Sequence, residues 1–263
     1  MKLAGVKPNK NLGQHFLVDK DSLQTIMDAA EPGKADTVLE IGPGLGVMTR
    51  PLAAAAAQVV AVETDRVLAE LLRRDPPANL EVVEQDIMRF DLSRLPAGYK
   101  VIANIPYYLT SKLMRMLIES VNPPSVMSLL IQKEVAERAT SKPGKMSMLA
   151  LSVQYYGRAD IVAMVERHKF WPAPDVDSAI LRVRLDGPAF PADPHKLFRL
   201  MRAGFGEKRK QMKNSLAGGL NCSVPVAEEI IKAAKLGPTA RAQELSLPEW
   251  ERLYKAAMKR ELL

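Results

Sequence analysis

Apolar residues fall along the first 185 positions in short runs separated by segments of helical period. Thr37–Ile41, Val59–Glu63, Leu80–Glu84, Lys100–Asn104 and Ser125–Ile131 are rich in Val, Ile and Leu and are bounded by Gly, Pro, Asp or Asn, which predicts strands. Helical patterns lie between most of them, and such alternation predicts a parallel sheet flanked by helices. Leu151–Tyr156 and Ala179–Leu185 read as two further strands joined by a Pro-rich loop too short for a crossover helix, so they are expected to pair antiparallel. From His195 onward no strand pattern occurs. Leu197–Phe205, Lys208–Leu216, Val226–Ala234 and Pro248–Met258 read as helices punctuated by Gly and Pro. Gly187-Pro188, followed by Pro191 and Pro194, divides the chain into an α/β domain at 1–187 with an N-terminal extension and a small all-helical domain at 188–263.

Composition adds the solvent and the partner. Length 263 allows one large and one small domain. The single Cys222 excludes an intramolecular disulfide framework, and His15, His168 and His195 have no metal-ligand spacing, so no metal is expected. The longest small-apolar run, Leu52–Ala57, is far too short for a bilayer span, and Met1–Lys10 lacks the apolar core of a signal peptide. A soluble, cytoplasmic protein is expected. Net charge is +7, and from Asp186 to Leu263 there are 14 Lys and Arg against 9 Asp and Glu, which points to a polyanionic partner met by the C-terminal part.

The segment Val38–Gly46 is a strand running into Gly42-Pro43-Gly44-Leu45-Gly46, a turn that opens a helix. Its Gly-x-Gly-x-Gly spacing differs from the Gly-x-Gly-x-x-Gly of dinucleotide sites, and Glu40 just before it suits a cationic ligand better than a phosphate. The next strand ends in Glu63, 21 residues after Gly42, where a carboxylate can accept from both hydroxyls of a ribose. The third ends in Gln85-Asp86, where a carboxylate can accept from an adenine amine. Three ligand-type positions at successive strand ends favour a site, because open α/β sheets bind ligands along that edge.

Beside this edge, after the fourth strand, stands Asn104-Ile105-Pro106-Tyr107. An adenine amine is a poor nucleophile whose lone pair is delocalised into the ring, and two acceptors taking its N–H groups would turn that lone pair outward. The Asn104 side chain and the Pro106 carbonyl are the candidates, Pro106 stiffening the turn, and Tyr107 offers a face for base stacking. Phe170-Trp171-Pro172-Ala173-Pro174 is placed to bring Phe170 to the other face of a base that has left its stack. His15, in Asn11–Leu17, lies in a segment too polar for the core and is expected to fold over the ligand. Lys196, Arg199, Arg202, Lys208, Arg209, Lys210 and Lys213 set seven cations against Glu207, and helical spacing puts Arg209 and Lys213 on one face with Lys210 adjacent, as an RNA contact.

On Asn11–Leu17, Glu40–Gly46, Glu63, Asp86, Asn104–Tyr107, Phe170–Ser178, Phe205–Leu216 and Arg241–Leu247, the chain closely resembles the bacterial ribosomal RNA small subunit methyltransferase A family, almost end to end. The resemblance implies a class I S-adenosylmethionine-dependent methyltransferase, Rossmann-like, with a seven-stranded sheet whose last strand is antiparallel, and a helical C-terminal domain. It implies that His15, Leu17, Gly42, Glu63, Asp86 and Asn104 bind S-adenosylmethionine, His15 and Leu17 largely through the backbone. It further implies dimethylation of two adjacent adenosines in a hairpin loop near the 3′ end of 16S rRNA, late in small-subunit assembly; a monomer is expected. No general base is needed, since the methylated amine becomes cationic and passes its proton to water. The competing readings are a 23S rRNA adenine dimethylase of the erythromycin-resistance type, disfavoured by Gly42-Pro43-Gly44 and the basic Glu207–Lys210 stretch, and a non-catalytic assembly factor, disfavoured by an intact glycine loop and Asn104. A nicotinamide enzyme is disfavoured by the glycine spacing.

Overall fold

The computed structural model describes residues 8–9, 13–206 and 211–263. In chain order the elements are β1 (Phe16–Leu17), α1 (Lys20–Ala30), β2 (Thr37–Ile41), α2 (Thr49–Ala55), β3 (Gln58–Glu63), α3 (Arg66–Arg73), β4 (Leu80–Glu84), β5 (Lys100–Asn104), α4 (Thr110–Ile118), β6 (Val126–Gln132), α5 (Lys133–Ala139), α6 (Met148–Tyr156), β7 (Gly157–Val165), β8 (Phe170–Trp171), β9 (Ser178–Leu185), α7 (Pro194–Phe205), α8 (Met212–Leu220), α9 (Val224–Ala233) and α10 (Leu247–Lys259). Backbone contacts divide them into two compact units. A sheet unit holds the chain up to Glu137 and Arg158–Asp186; a helical unit holds Arg138–Gly157 and Gly187–Leu263. This division differs from a single cut at 187 in giving residues 138–157 to the helical unit.

The sheet unit is built on seven strands in the order β4-β3-β2-β5-β6-β9-β7. Strands β4, β3, β2, β5 and β6 pair parallel, and β9 pairs antiparallel with β6. The parallel strands are nearly all apolar in sequence, as buried parallel strands are, and α1, α2 and α3 pack against them. The sequence order places β2 at the centre with β3 on one side and β5 on the other, so the chain reverses its winding there. Ligands of open α/β sheets bind at such a switch point, outside the strand C-termini. Helix α1 is held by its Asp19 N-cap, whose carboxylate accepts from the Ser22 N–H at 2.9 Å, and its Ile26 carbonyl accepts from the buried Ser128 hydroxyl of β6 at 2.7 Å.

One strand expectation fails. Leu151–Tyr156 is not a strand but most of α6, whose N-cap Ser147 accepts from the Ala150 N–H. Leu149 to Val153 and Tyr155 are all buried, with Ala150, Leu151 and Tyr155 in the core of the helical unit. A helix apolar on every side shows no 3.6-residue period, so it reads like a buried strand. The strand next to β9 is β7, whose alternating half-buried and exposed residues include Arg158 and Asp160, a polar pattern typical of a sheet edge.

In the helical unit, α7 and α10 pack around Trp250, Leu197 and Leu253, all fully buried. Phe205 stacks on Trp250 with ring centroids 5.9 Å apart. The expected helix over Lys208–Leu216 also needs correction: α8 begins at Met212, and Gln211 before it is extended at φ −66°, ψ 149°. Arg209 and Lys210 lie outside the described residues. The Lys213 ammonium instead pairs with Glu228 at 2.7 Å. No helix among the described residues is long and apolar enough to cross a membrane.

Candidate active site

The C-terminal ends of β2, β3 and β5 surround a cavity of about 340 Å³, within the size range of small-ligand sites. Gly42, Glu63, Asp86, Asn104, Pro106, Tyr107, His15 and Leu17 all line it. Residues from five separate stretches of sequence therefore meet in one place.

Gly42, Gly44 and Gly46 have φ of 64°, 59° and 74°, in the left-handed region where a Cβ is strained. At Gly44 a Cβ would stand 3.1 Å from the Phe16 ring, and at Gly46 it would collide with Leu72 at 2.6 Å. Phe16 thus lies on the loop, and it is held there because β1 pairs with β8, Phe16 opposite Trp171 and Leu17 opposite Phe170. The same ribbon brings His15 beside Pro172. The Pro172 carbonyl can only accept, so His15 donates from Nδ1 at 2.7 Å.

Glu63 receives the Gly44 N–H on one carboxylate oxygen at 3.0 Å and the Asp65 N–H on the other at 2.9 Å. It clamps the glycine loop to the end of β3. Burial pushes its carboxyl above the usual range, while these backbone donors pull the other way. Each oxygen keeps a second lone pair for a hydroxyl. Asp86 accepts the Met88 N–H on Oδ1 at 2.9 Å, which leaves Oδ2 for the cavity.

Glu40 is placed differently from the expectation. It is 0% exposed, lies beneath the loop rather than on the cavity wall, and both its oxygens lack a hydrogen-bond partner. Burial pushes its carboxyl up to about 8; Thr49 nearby lowers it slightly without reaching hydrogen-bonding geometry, and the Glu63 charge raises it. Glu40 is therefore mostly a neutral acid at pH 7, not a counter-charge for a cation.

At the Asn104 end, the Nδ2 amide donates to the His15 carbonyl at 2.9 Å. A carbonyl has no proton to give, so the Asn104 NH2 must face it, and Oδ1 has no partner among the described residues. The Pro106 carbonyl, the expected second acceptor, is occupied: it takes the Leu109 N–H at 3.0 Å and the Thr110 hydroxyl at 3.5 Å as α4 starts. Ile105 also lines the cavity, and its carbonyl accepts nothing among the described residues. Tyr107 is fixed by a 2.8 Å hydrogen bond between its hydroxyl and that of Ser178, and the His15 ring covers one of its faces at 5.9 Å. Phe170 does not face the cavity. It is 4% exposed, packed in the core with Leu17, Val165 and Ile180, because its place in β8 opposite Leu17 turns it inward.

Sequence reasoning missed Gln14, Met88, Tyr108 and Lys112, which also line the cavity. Gln14 ties the first segment to the end of β3 through a 3.0 Å bond to Asp65. Tyr108 stood next to the recognised motif, and Lys112 follows it by one helical turn, which is the signal that could have found both. Among the described residues no group of three His, Cys, Asp or Glu is placed to hold a metal.

A strand order reversing at β2, an antiparallel β9 inserted before the edge, and a glycine loop beside carboxylates at successive strand ends define a class I methyltransferase. The comparisons with known proteins agree. Residues 5–259 match the family described as ribosomal RNA adenine dimethylase, and the chain belongs to that family. Ribosomal RNA small subunit methyltransferase A of Dehalococcoides mccartyi is 38% identical over 94% of this chain and 88% of its own length. The protein of that name from Streptococcus pneumoniae is 40% identical over 94% and 91%. Among solved structures, a dimethyladenosine transferase from Plasmodium falciparum superposes with a TM-score of 0.79 at 26% identity, covering 94% of this chain and 98% of its own. The 23S rRNA methyltransferase ErmE superposes with 0.73 at 29% identity, covering 92% and 98%.

Proposed function

We propose that the protein is a 16S rRNA adenine-N6,N6-dimethyltransferase that uses S-adenosylmethionine, acting on the small subunit or its assembly intermediate. The observation that carries this is the free Asn104 Oδ1, fixed by the His15 carbonyl, beside a cavity that fits the cofactor's adenosine. Glu63 offers two oxygens to a ribose diol and Asp86 Oδ2 an acceptor to an adenine amine, while the glycine loop leaves space that a Cβ would fill. When bound, the cofactor supplies an electrophilic methyl on a sulfonium.

The chain's own residues orient the acceptor. Asn104 Oδ1 takes one N–H of the target amine and the Ile105 carbonyl, in place of Pro106, takes the other, which turns the nitrogen lone pair outward. Tyr107 stacks on the base with the ring face that His15 leaves open, and this requires a base taken out of its stack. His15 and Leu17 close the cavity from the first segment; with the His15 carbonyl already accepting from Asn104, its part is to position that side chain. As the new N–C bond forms the amine becomes cationic and its proton leaves to water. A 23S substrate is less favoured, because the small-subunit methyltransferases match at 38–40% identity against 29% for ErmE. Arg209, Lys210 and Lys213 remain proposed RNA contacts, the last weakened by its pairing with Glu228.

The test is Asn104→Ala with unmethylated small subunits and a tritiated methyl donor. Loss of one preorganised contact lowers the rate by roughly 100- to 1000-fold. Transfer at the wild-type rate would refute the assignment, as would methylation of 23S but not 16S rRNA by the wild-type protein.

A further inference from the structure

The cavity has a mouth that the chemistry above does not use. Tyr108 lines it yet is 70% exposed. Among the described residues the other exposed Phe, Tyr or Trp is Trp171, which does not line the cavity. An aromatic ring left in water at the rim of a site marks a contact surface, since tyrosine combines a flat apolar face with a polar tip. The Tyr108 ring is backed on one side by Gly13: a Cβ there would lie 3.7 Å from its ring carbons. With 70% of the residue exposed, much of the ring is left to solvent.

Lys112, in the first turn of α4, also lines the cavity and is exposed. It has no acidic partner among the described residues, and the first turn of α4 contains no acid. The positive end of the helix dipole and the ammonium therefore act together on whatever lies at the mouth.

A base drawn into the cavity loses its stack with its chain neighbour, and that neighbour loses a partner as well. Tyr107 and Tyr108 are consecutive, one inside and one outside the rim. We propose that Tyr108 and Lys112 form a second nucleotide subsite, where the RNA residue next to the target stacks on Tyr108 and the intervening phosphate meets Lys112. This rests on the reading of the cavity as an RNA-base site. The subsite compensates for the stack lost on extrusion, so it acts on RNA binding and leaves the cofactor pocket alone.

The experiment compares Tyr108→Ala, Tyr108→Phe and Lys112→Gln with wild type, using unmethylated small subunits for kinetics and S-adenosylhomocysteine for titration. Tyr108→Ala raises KM for subunits about 5- to 160-fold, the equilibrium factor for one base–aromatic stack, with kcat within about threefold and the S-adenosylhomocysteine affinity unchanged. Tyr108→Phe restores KM, because the ring and not the hydroxyl carries the contact. Lys112→Gln flattens the log–log salt dependence of subunit binding by about 0.7–0.9, one phosphate. A wild-type KM for Tyr108→Ala, or a loss of S-adenosylhomocysteine affinity in that variant, overturns the subsite. Failure of the wild-type protein to methylate subunits at all overturns the functional reading and the subsite with it.

Discussion

At the scale of single residues, the site depends on which hydrogen-bond partners are already used. Asn104 is available because the His15 carbonyl occupies its donor side, and Pro106 is unavailable because α4 begins on its carbonyl. Residue types were enough to bring Asn104, Glu63 and Asp86 to one cavity, but not to decide between two adjacent carbonyls, since that depends on where the next helix starts. Glu40 shows the same limit: its position before the loop was plain, and its burial to 0% depends on tertiary packing around β2. The acid is held protonated in the fold well above its ordinary value of 4.5. Its folded form thus binds a proton that the unfolded chain releases between pH 4.5 and about 8, so stability is full below that window and falls as pH rises through it. The slope reaches about 1.4 kcal/mol per pH unit. Glu40→Gln cannot titrate, and its urea midpoint should fall less than that of wild type between pH 5.5 and 8.5, whatever constant offset the substitution adds. Parallel pH profiles for the two proteins would show that Glu40 does not titrate in this window.

At the scale of elements, alternation of strand and helix was legible because buried parallel strands are continuous apolar runs bounded by turn residues. What was not legible is α6, whose surroundings bury it on all sides, and β7, whose exposed face at the sheet edge carries charge. Phe170 was misplaced for a related reason: a two-residue pairing with β1 decides its direction, and two residues carry no period. Close packing between α7 and α8 is likewise invisible in sequence, where Gly218-Gly219 reads as a helix weakener. In the structure a Cβ on Gly219 would stand 2.5 Å from the Ala203 Cβ and 2.6 Å from its Cα. Helix propensity favours Gly219→Ala by about 1 kcal/mol, but backbone cannot yield as a side chain can. Overpacking of about 1–3 kcal/mol exceeds the propensity gain, so Gly219→Ala should lower the thermal midpoint. Gly218→Ala meets nothing within 4 Å and should leave it equal or higher. A rise in both variants would mean that α7 and α8 are not in contact at Ala203.

At the scale of the whole molecule, charge separates the two units more sharply than sequence position did. The helical unit carries 17 Lys and Arg against 8 Asp and Glu, and the sheet unit 20 against 22, so the net +7 comes from +9 in one and −2 in the other. Moving residues 138–157 into the helical unit adds three cations and no acid, which is why a cut at 187 understated the asymmetry. We expect a polyanion to be held mainly by the helical unit, since the sheet unit has no net attraction for phosphate. Arg199 and Arg202 stand three apart on the exposed side of α7, with no acidic partner among the described residues, and Arg209 and Lys210 follow in the sequence. Replacing these four by Gln should flatten the log–log salt dependence of small-subunit binding by about 3, at 0.7–0.9 for each phosphate contact. Lys213→Gln should change it far less, because its ammonium is taken by Glu228 at 2.7 Å. Binding measured from 50 to 300 mM salt would check both, with S-adenosylhomocysteine affinity constant throughout. An unchanged slope in the fourfold variant would remove the helical unit from RNA docking, and a slope lowered by Lys213→Gln as much as by any other single change would mean that the pair with Glu228 opens on the RNA.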